Sequence, residues 1–224
     1  MNWMNLIDGP SALIVFGGTA FATGLRAGLG DCRHTLIKLA GLGSKPFDAN
    51  VARSDLARQV QGIKQDGLLR AVPQHTGDRE FDEATDALIG NRSVGALLSA
   101  HERHKARRLG ESTRAVRTLA QAAELAPVFG LAGTLVSLSQ LPAEGVARGA
   151  ISGAISMAVV TTLYGLLAAN LLLAPLARAI ERKALAEERA RQNLIDWLAD
   201  QVSEACPPRR MRDQLQHSLH AEAS

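Results

Sequence analysis

With 224 residues the chain has room for one or two domains. A hydrophobic share of 46% and a mean hydropathy near zero exclude a protein immersed in lipid along its whole length. The net charge of +3 and pI near 9.2 would suit a nucleic-acid binder, but the placement of the charges argues for a membrane topology instead. Of 25 Lys and Arg, 15 fall between Arg33 and Arg117 and eight follow Ala177.

The apolar residues cluster. Gly9–Leu25 (GPSALIVFGGTAFATGL) is uncharged and ends at Arg26; Trp3 before it would extend a membrane span. Ala20–Ala22 (AFA) resembles a leader-cleavage site, but MNWMNLID carries no basic n-region, so a cleaved leader is not expected. The charged stretch after this run looks helical. Its turn signals are Gly41–Asp48, Val72–Asp78 and Ile89–Ser93, which predicts helices over Ala49–Ala71, Glu80–Ile89 and Ser93–Glu124. Asp48 or Ser54 would cap the first and Ser93 the third. The third carries dense charge from His101 to Arg108. His101 and His104 sit three apart there and read as solvated side chains on an exposed helix, not as a metal site.

Leu125–Leu141 (LAPVFGLAGTLVSLSQL) is the second uncharged run and continues that helix. A short turn, Pro142–Arg148, leads to the third. Residues 149–177 contain no Asp, Glu, Lys, Arg or His, and about 20 apolar residues already span a bilayer. Arg178–Glu204 is a charged amphipathic helix whose stripe is Ile180, Leu185, Leu194, Leu198 and Val202; Pro207 and Pro208 end it. No strand pattern or repeat is evident.

The expected fold is therefore all-α: a polytopic helical membrane protein with three transmembrane helices, a helical cytoplasmic insert and a C-terminal cytoplasmic helix. The segments are 1–30, 125–141 and 149–177 for the membrane helices, 31–124 for the insert, 142–148 for a periplasmic turn and 178–224 for the cytoplasmic helix and tail. The basic residues place the insert and tail inside. Cys32 and Cys206 then face a reducing compartment, so no disulfide is expected.

The chemistry lies in the polar groups of the spans. On a helical wheel Ala154, Ala158, Thr161, Thr162, Gly165 and Ala169 share one side of the third run. Gly130, Gly133, Thr134 and Ser137 form one stripe on the second, with Pro127 at its cytoplasmic entry. Small faces mark close helix contact, with hydroxyls bonding across helices or to water. Two matching stripes on consecutive spans point to a polar-lined path for a proton or hydrated ion. Neither span holds a titratable group; Asp8, Glu124 and Glu144 lie at the edges of the runs. An ion-binding carboxylate would then come from another chain.

APVFGLAGTLVSL followed by AVVTTLYGLLAANLLLAPLA resembles the MotA/TolQ/ExbB proton-channel family, and its MotA branch in particular. IDGPSALIVFGGTAFAT is similar to the second membrane helix of MotA chains, QDGLL (Gln65–Leu69) to their loop segment EGLL, and CPPRRMRDQL to the end of their cytoplasmic helix. The resemblance implies a five-membered ring of subunits around two helices of a MotB-like partner, which supplies the membrane aspartate and holds peptidoglycan. Proton or sodium flow would turn the ring and drive the flagellar rotor. It further implies that Thr134 and Thr162, with Thr161 beside them, face the ion path. Gly130, Gly133, Ala158 and Gly165 would pack the helices. Pro127 with Pro207 or Pro208 would couple ion flow to conformation, and Lys64 would meet the rotor protein FliG.

The chain departs from the pattern in three places. It begins at the second of the four membrane helices usual in MotA chains. Val72 stands where MotA loops often have glutamate. Three spans are the TolQ/ExbB arrangement, yet Met157 replaces the glutamate usual there. The alternatives are a TolQ/ExbB-like energiser of a periplasmic or outer-membrane process, and a non-conducting membrane scaffold. The expected setting is a bacterial inner membrane. No enzyme activity, cofactor, metal or nucleic-acid partner is expected.

Overall fold

A computed structural model of the chain describes residues 8–45, 47–66, 76–141 and 148–203. Among these residues every regular element is helical. Helix α1 spans Gly9–Ala27. Asp8 starts it, its carboxylate accepting from the Ser11 N–H at 3.1 Å, and Pro10 occupies the first turn, where a missing N–H costs nothing. A π turn interrupts it at Leu13–Gly17. Gly28, with φ of +88°, ends it in a conformation closed to most L-residues, and the chain turns there by 115° into the next helix.

Helix α2, Leu29–Ala40, closes in a 3-10 turn at Gly41–Gly43. Helix α3, Ala49–Asp66, is capped by Asp48, which accepts from the Asn50 N–H at 2.9 Å and the Val51 N–H at 3.3 Å. Ser54, the other candidate, instead donates to the Val51 carbonyl. Helix α4, Arg79–Asn91, has Asp78 as its N-cap and Glu80 and Asp82 in the first turn, where negative charge favours the helix dipole. Arg92 ends it in the left-handed region, at φ of 50°.

Helix α5 runs unbroken through Val94–Ser139, with Pro127 inside it. Helix α6 runs as Arg148–Leu167, a π turn at Ala168–Leu173, and Ala174–Ser203. Val94–Ser139 and Ile151–Ser203 both contain stretches long and apolar enough to cross a membrane. The bent pair α1–α2 adds a third if it counts as one span. The all-α membrane architecture expected from the sequence is thus the one observed. The turn at 142–147, Gly67–Leu69 of the loop motif, Val72, Cys206, Pro207 and Pro208 lie outside the described residues. Cys32 is a free thiol.

The chain divides into two compact units. One comprises Met1–Ser44 and Gly110–Ala184, the other Lys45–Leu109 and Leu185–Ser224. The second unit has an ordinary globular core. Leu56, Ile63, Leu88, Leu97 and Leu198 are fully buried, and each contributes about 1.5–3 kcal/mol relative to exposure. Phe47 stacks on Phe81 beside them. Of the stripe expected on the last helix, Leu194, Leu198 and Val202 enter this core, whereas Leu185 is 42% exposed. Ile195, absent from the expected stripe, is buried in its place.

His101 and His104 also correct the sequence reading. Both are buried, at 5% and 9% exposure. His101 Nε2 lies 3.1 Å from Gln192 Oε1 and 3.5 Å from Glu188 Oε1. His104 Nε2 lies 2.9 Å from Glu83, and its Nδ1 3.8 Å from Glu80. Around them runs an ionic network. Arg108 bridges Glu80 and Glu188. Arg191 pairs with Asp78 at 2.8 Å and lies over the Phe47 ring. His101, His104 and Arg108, which look solvated in sequence, belong to the polar half of an interior, because each is held by a partner from another helix.

Candidate functional site

In the first unit, α5 and α6 meet on their small residues. A Cβ added at Gly165 would lie 2.6 Å from the Ala126 carbonyl oxygen and 3.1 Å from Pro127 Cα. One at Gly130 would meet the Thr161 carbonyl at 3.0 Å, and one at Gly133 the Thr161 methyl at 2.8 Å. The two backbones touch, and only glycine leaves room for that approach. Pro127 is part of this crossing, on the turn of α5 that faces Gly165. A third contact comes from α1, where Gly18 lies directly against the Phe129 ring.

The adjacent threonines separate here. Thr161 is fully buried against Gly133, and its hydroxyl donates to its own helix, to Met157 O at 3.1 Å and Ala158 O at 2.9 Å. It belongs to the packing seam. Thr162 faces a groove of about 550 Å³ shared with Thr134, Leu138, Ala158, Val159 and Leu166. Ala158 therefore lines the groove, whereas Gly130, Gly133 and Gly165 hold the crossing.

Both groove hydroxyls spend their proton locally. Thr162 donates to the Ala158 carbonyl at 3.2 Å and Thr134 to the Leu131 carbonyl at 2.6 Å. A hydroxyl whose hydrogen is committed to the backbone presents its oxygen lone pairs outward. The groove thus offers two acceptors on an otherwise apolar wall. It holds no carboxylate, so it can solvate a cation or a protonated group without trapping it. Ser137, the last member of the expected stripe, is buried and donates to the Gly133 carbonyl.

One cluster escaped the sequence reading. Asp8, placed at the edge of the first run, has its backbone N–H 3.3 Å from the Tyr164 hydroxyl, and its carboxylate accepts from both Ser11 groups. Tyr164 stands near the middle of the charge-free run 149–177, so Asp8 is packed against the third span. The signal in sequence is the single Tyr of the chain, a polar tip in an apolar helix that needs a partner. The π turn of α6 falls just beyond it. Lys64, in the second unit, is exposed and donates to Gln201 Oε1 at 2.9 Å. Among the described residues no cluster of His, Cys, Asp and Glu is arranged to hold a metal.

Apolar helices long enough to cross a membrane, sealed against each other on glycine, define a polytopic helical membrane protein. The chain matches the MotA/TolQ/ExbB proton channel family over residues 74–193, and it belongs to that family. It is 25% identical to "Motility protein A" of Cereibacter sphaeroides over 197 residues, 86% of this chain and 76% of that protein. It is 24% identical to "Chemotaxis protein PomA" of Vibrio alginolyticus over 193 residues, 85% of this chain and 76% of that one. Its fold matches the flagellar MotAB stator complex from Bacillus subtilis with a TM-score of 0.81 at 18% identity, covering 100% of this chain and 89% of the other.

Proposed function

We propose that this chain is an ion-conducting stator subunit of a flagellar motor, coupling proton or sodium flow to rotation together with a single-span MotB-like partner. The observation that carries the proposal is the groove. Thr134 and Thr162 face it from two consecutive small-faced helices, and neither helix wall supplies an ionisable group. The names of the relatives, a motility protein A and a chemotaxis protein, and the MotAB architecture of the fold neighbour support the same reading.

In this reading the partner's aspartate enters the groove and carries the ion. The threonine oxygens accept from the protonated carboxyl, or solvate the cation, as it passes from one side to the other. The close crossing at Gly165, Gly130 and Gly133 keeps α5 and α6 moving as one body, so a change in the groove is carried along both helices. Subunits assemble as a ring of five in a bacterial inner membrane, with residues 31–124 and 178–224 on the cytoplasmic side. Pro127 lies within the crossing, where loss of a backbone hydrogen bond eases bending; Pro207 and Pro208 are assigned to the same coupling by resemblance. Lys64 is the rotor-contact residue.

The test is ion flux and torque. The chain is co-reconstituted with the single-span partner encoded beside it, and flux is followed with a pH-sensitive dye in the presence and absence of sodium. Thr134→Val and Thr162→Val are expected to cut flux while the complex still assembles, and cells lacking the chain to lose stator-driven swimming. Unchanged flux in the double variant, or unchanged torque in the deletion, would overturn the proposal. A partner without a peptidoglycan-binding domain would favour the TolQ/ExbB-like reading.

A further inference from the structure

We infer that Asn170 is a third polar station on the ion path, beyond Thr134 and Thr162, and that its amide oxygen receives the ion at the inner end of the groove. The inference rests on the ion-conducting reading of that groove and adds a residue that the two threonine stripes do not contain.

Asn170 is an amide at membrane depth. It lies within the charge-free run 149–177, about 12 Å along the helix from Thr162 toward the charged segment that follows Ala177. Its side chain is exposed on the chain. A polar side chain at such depth faces a water-filled cavity or another chain rather than lipid tails. Leu167, Leu171 and Leu172, exposed on the same stretch, are apolar, so Asn170 is the polar exception among them.

Its position ties it to the groove. Asn170 Nδ2 donates to the Leu166 carbonyl at 3.0 Å, and Leu166 lines the groove together with Thr162. Thr162, Leu166 and Asn170 follow one another at i, i+4 and i+8, the spacing that keeps side chains on one side of a helix. The π turn Ala168–Leu173 holds Asn170 closer to that line. Such a turn widens the helix, so the step from Leu166 to Asn170 advances less around the axis than in a regular helix, and π turns recur at functional sites.

The amide is also oriented. Only its NH2 group can donate to a carbonyl, so the bond to Leu166 fixes which way the side chain points and leaves Oδ1 as a free acceptor. Thr134 and Thr162 have the same arrangement, each with its hydrogen given to its own helix. The facing helix adds a second oxygen. Ala123 packs on the cluster of Ala126, Ala168 and Ala169, the last being the residue before Asn170. Pro127 lies inside α5 and has no N–H to offer the Ala123 carbonyl four residues before it. The inner end is thus built from carbonyl-type oxygens, where the groove itself offers hydroxyls. Such oxygens replace the water around a cation, or accept from a hydronium, while letting it leave.

The chain and its encoded single-span partner are reconstituted in liposomes, and influx is followed under an inward gradient of protons or of sodium. Asn170→Leu keeps the branched shape and suits an apolar setting, so the complex should assemble and melt as the wild type does. Its maximal flux should fall by roughly tenfold, the loss expected for one acceptor to a charged species, with the external ion concentration for half-maximal flux unchanged. Asn170→Ser returns an oxygen whose proton can go to the Leu166 carbonyl, and it should recover most of the flux. Wild-type flux in Asn170→Leu overturns the assignment, as does equal loss in both variants. A raised half-saturating concentration at full maximal flux puts Asn170 at the entry and overturns it too. So does flux lost only because the complex falls apart, the outcome for an amide that bonds a second copy. A wild-type complex that carries neither ion overturns the ion-conducting reading itself, and this assignment with it.

Discussion

The two units solve interior packing in opposite ways. At the crossing of α5 and α6 the interior is made of almost nothing: Gly130, Gly133 and Gly165 bring backbone onto backbone, and the buried hydroxyls of Thr161 and Ser137 each bond to their own helix. In the second unit the interior is large and polarised. Leucines and Phe81 fill one side, and Glu80, Glu188, Arg108, Arg191 and two histidines occupy the other. Lipid is as apolar as a leucine side chain, so a membrane crossing gains little from burying leucine and is held by close contact. Water drives the second unit together, and that unit can bury charge where every charge has a partner.

The largest effect is expected from breaking the polarised interior. Arg108→Met removes the guanidinium shared by Glu80 and Glu188; Glu80 keeps Arg107 at 3.0 Å, but the buried Glu188 carboxylate loses its Arg partner. Removing one member of a buried pair costs about 3–5 kcal/mol, so detergent-solubilised protein should unfold at a much lower temperature or denaturant concentration. Arg108→Met/Glu188→Met should recover part of the loss, because the uncompensated charge goes with the second substitution. A double variant no better than the single would mean that Arg108 acts through packing rather than charge.

The crossing breaks by addition instead of removal. Gly165→Ala places a methyl 2.6 Å from the Ala126 carbonyl, with backbone on both sides and no side chain able to move. Overpacking of this kind costs about 1–3 kcal/mol. The effect on ion flux should exceed the effect on stability, because the groove walls shift with the crossing. Gly153→Ala is the control: a Cβ there meets nothing within 4 Å. Flux and melting temperature that respond alike at both positions would remove the crossing from the mechanism.

A smaller stability effect, and a sharper functional one, is expected at the threonines. Thr134→Val and Thr162→Val exchange a groove oxygen for a methyl of similar size. Stability should change by less than about 1 kcal/mol, since each hydroxyl makes a single modest bond to its own helix, while flux falls. Thr161→Val keeps the methyl that sits on Gly133 and should conduct nearly as the wild type does. Equal loss of flux at Thr161 and Thr162 would return Thr161 to the ion path.

The sequence carried the membrane spans and the paired hydroxyl stripes because both are local: a charge-free run and a helical period need no partner to be read. It could not separate Thr161 from Thr162, since neighbours 100° apart fall on one side of a wheel, and only the line of contact with α5 divides them. His101 and His104 were misjudged for the opposite reason. Their partners lie far along the chain, Gln192 at a separation of 91 residues from His101, and the local pattern of alternating charge is the same for a solvated face and a buried network.

The smallest effect concerns acid. Glu83, at the open rim of the network, has its carboxyl held below its ordinary value of 4.5, first by the hydrogen bond from Arg79; desolvation opposes this, and the charges of Arg79 and His104 add to the lowering. Arg79 Nε donates to it at 2.7 Å. A carboxyl with a depressed value in the folded state stabilises the fold above its unfolded value, and that contribution is lost as the pH falls through the folded one. Glu83→Gln should therefore be slightly less stable than the wild type at neutral pH, by a margin kept small by solvent and salt at this exposed site. The two unfolding curves should converge as the pH falls below 4.5 and through the depressed folded value, where the wild-type carboxyl takes up its proton. A gap of constant size from neutral to acid pH would show that Glu83 stabilises the rim through shape and not through charge.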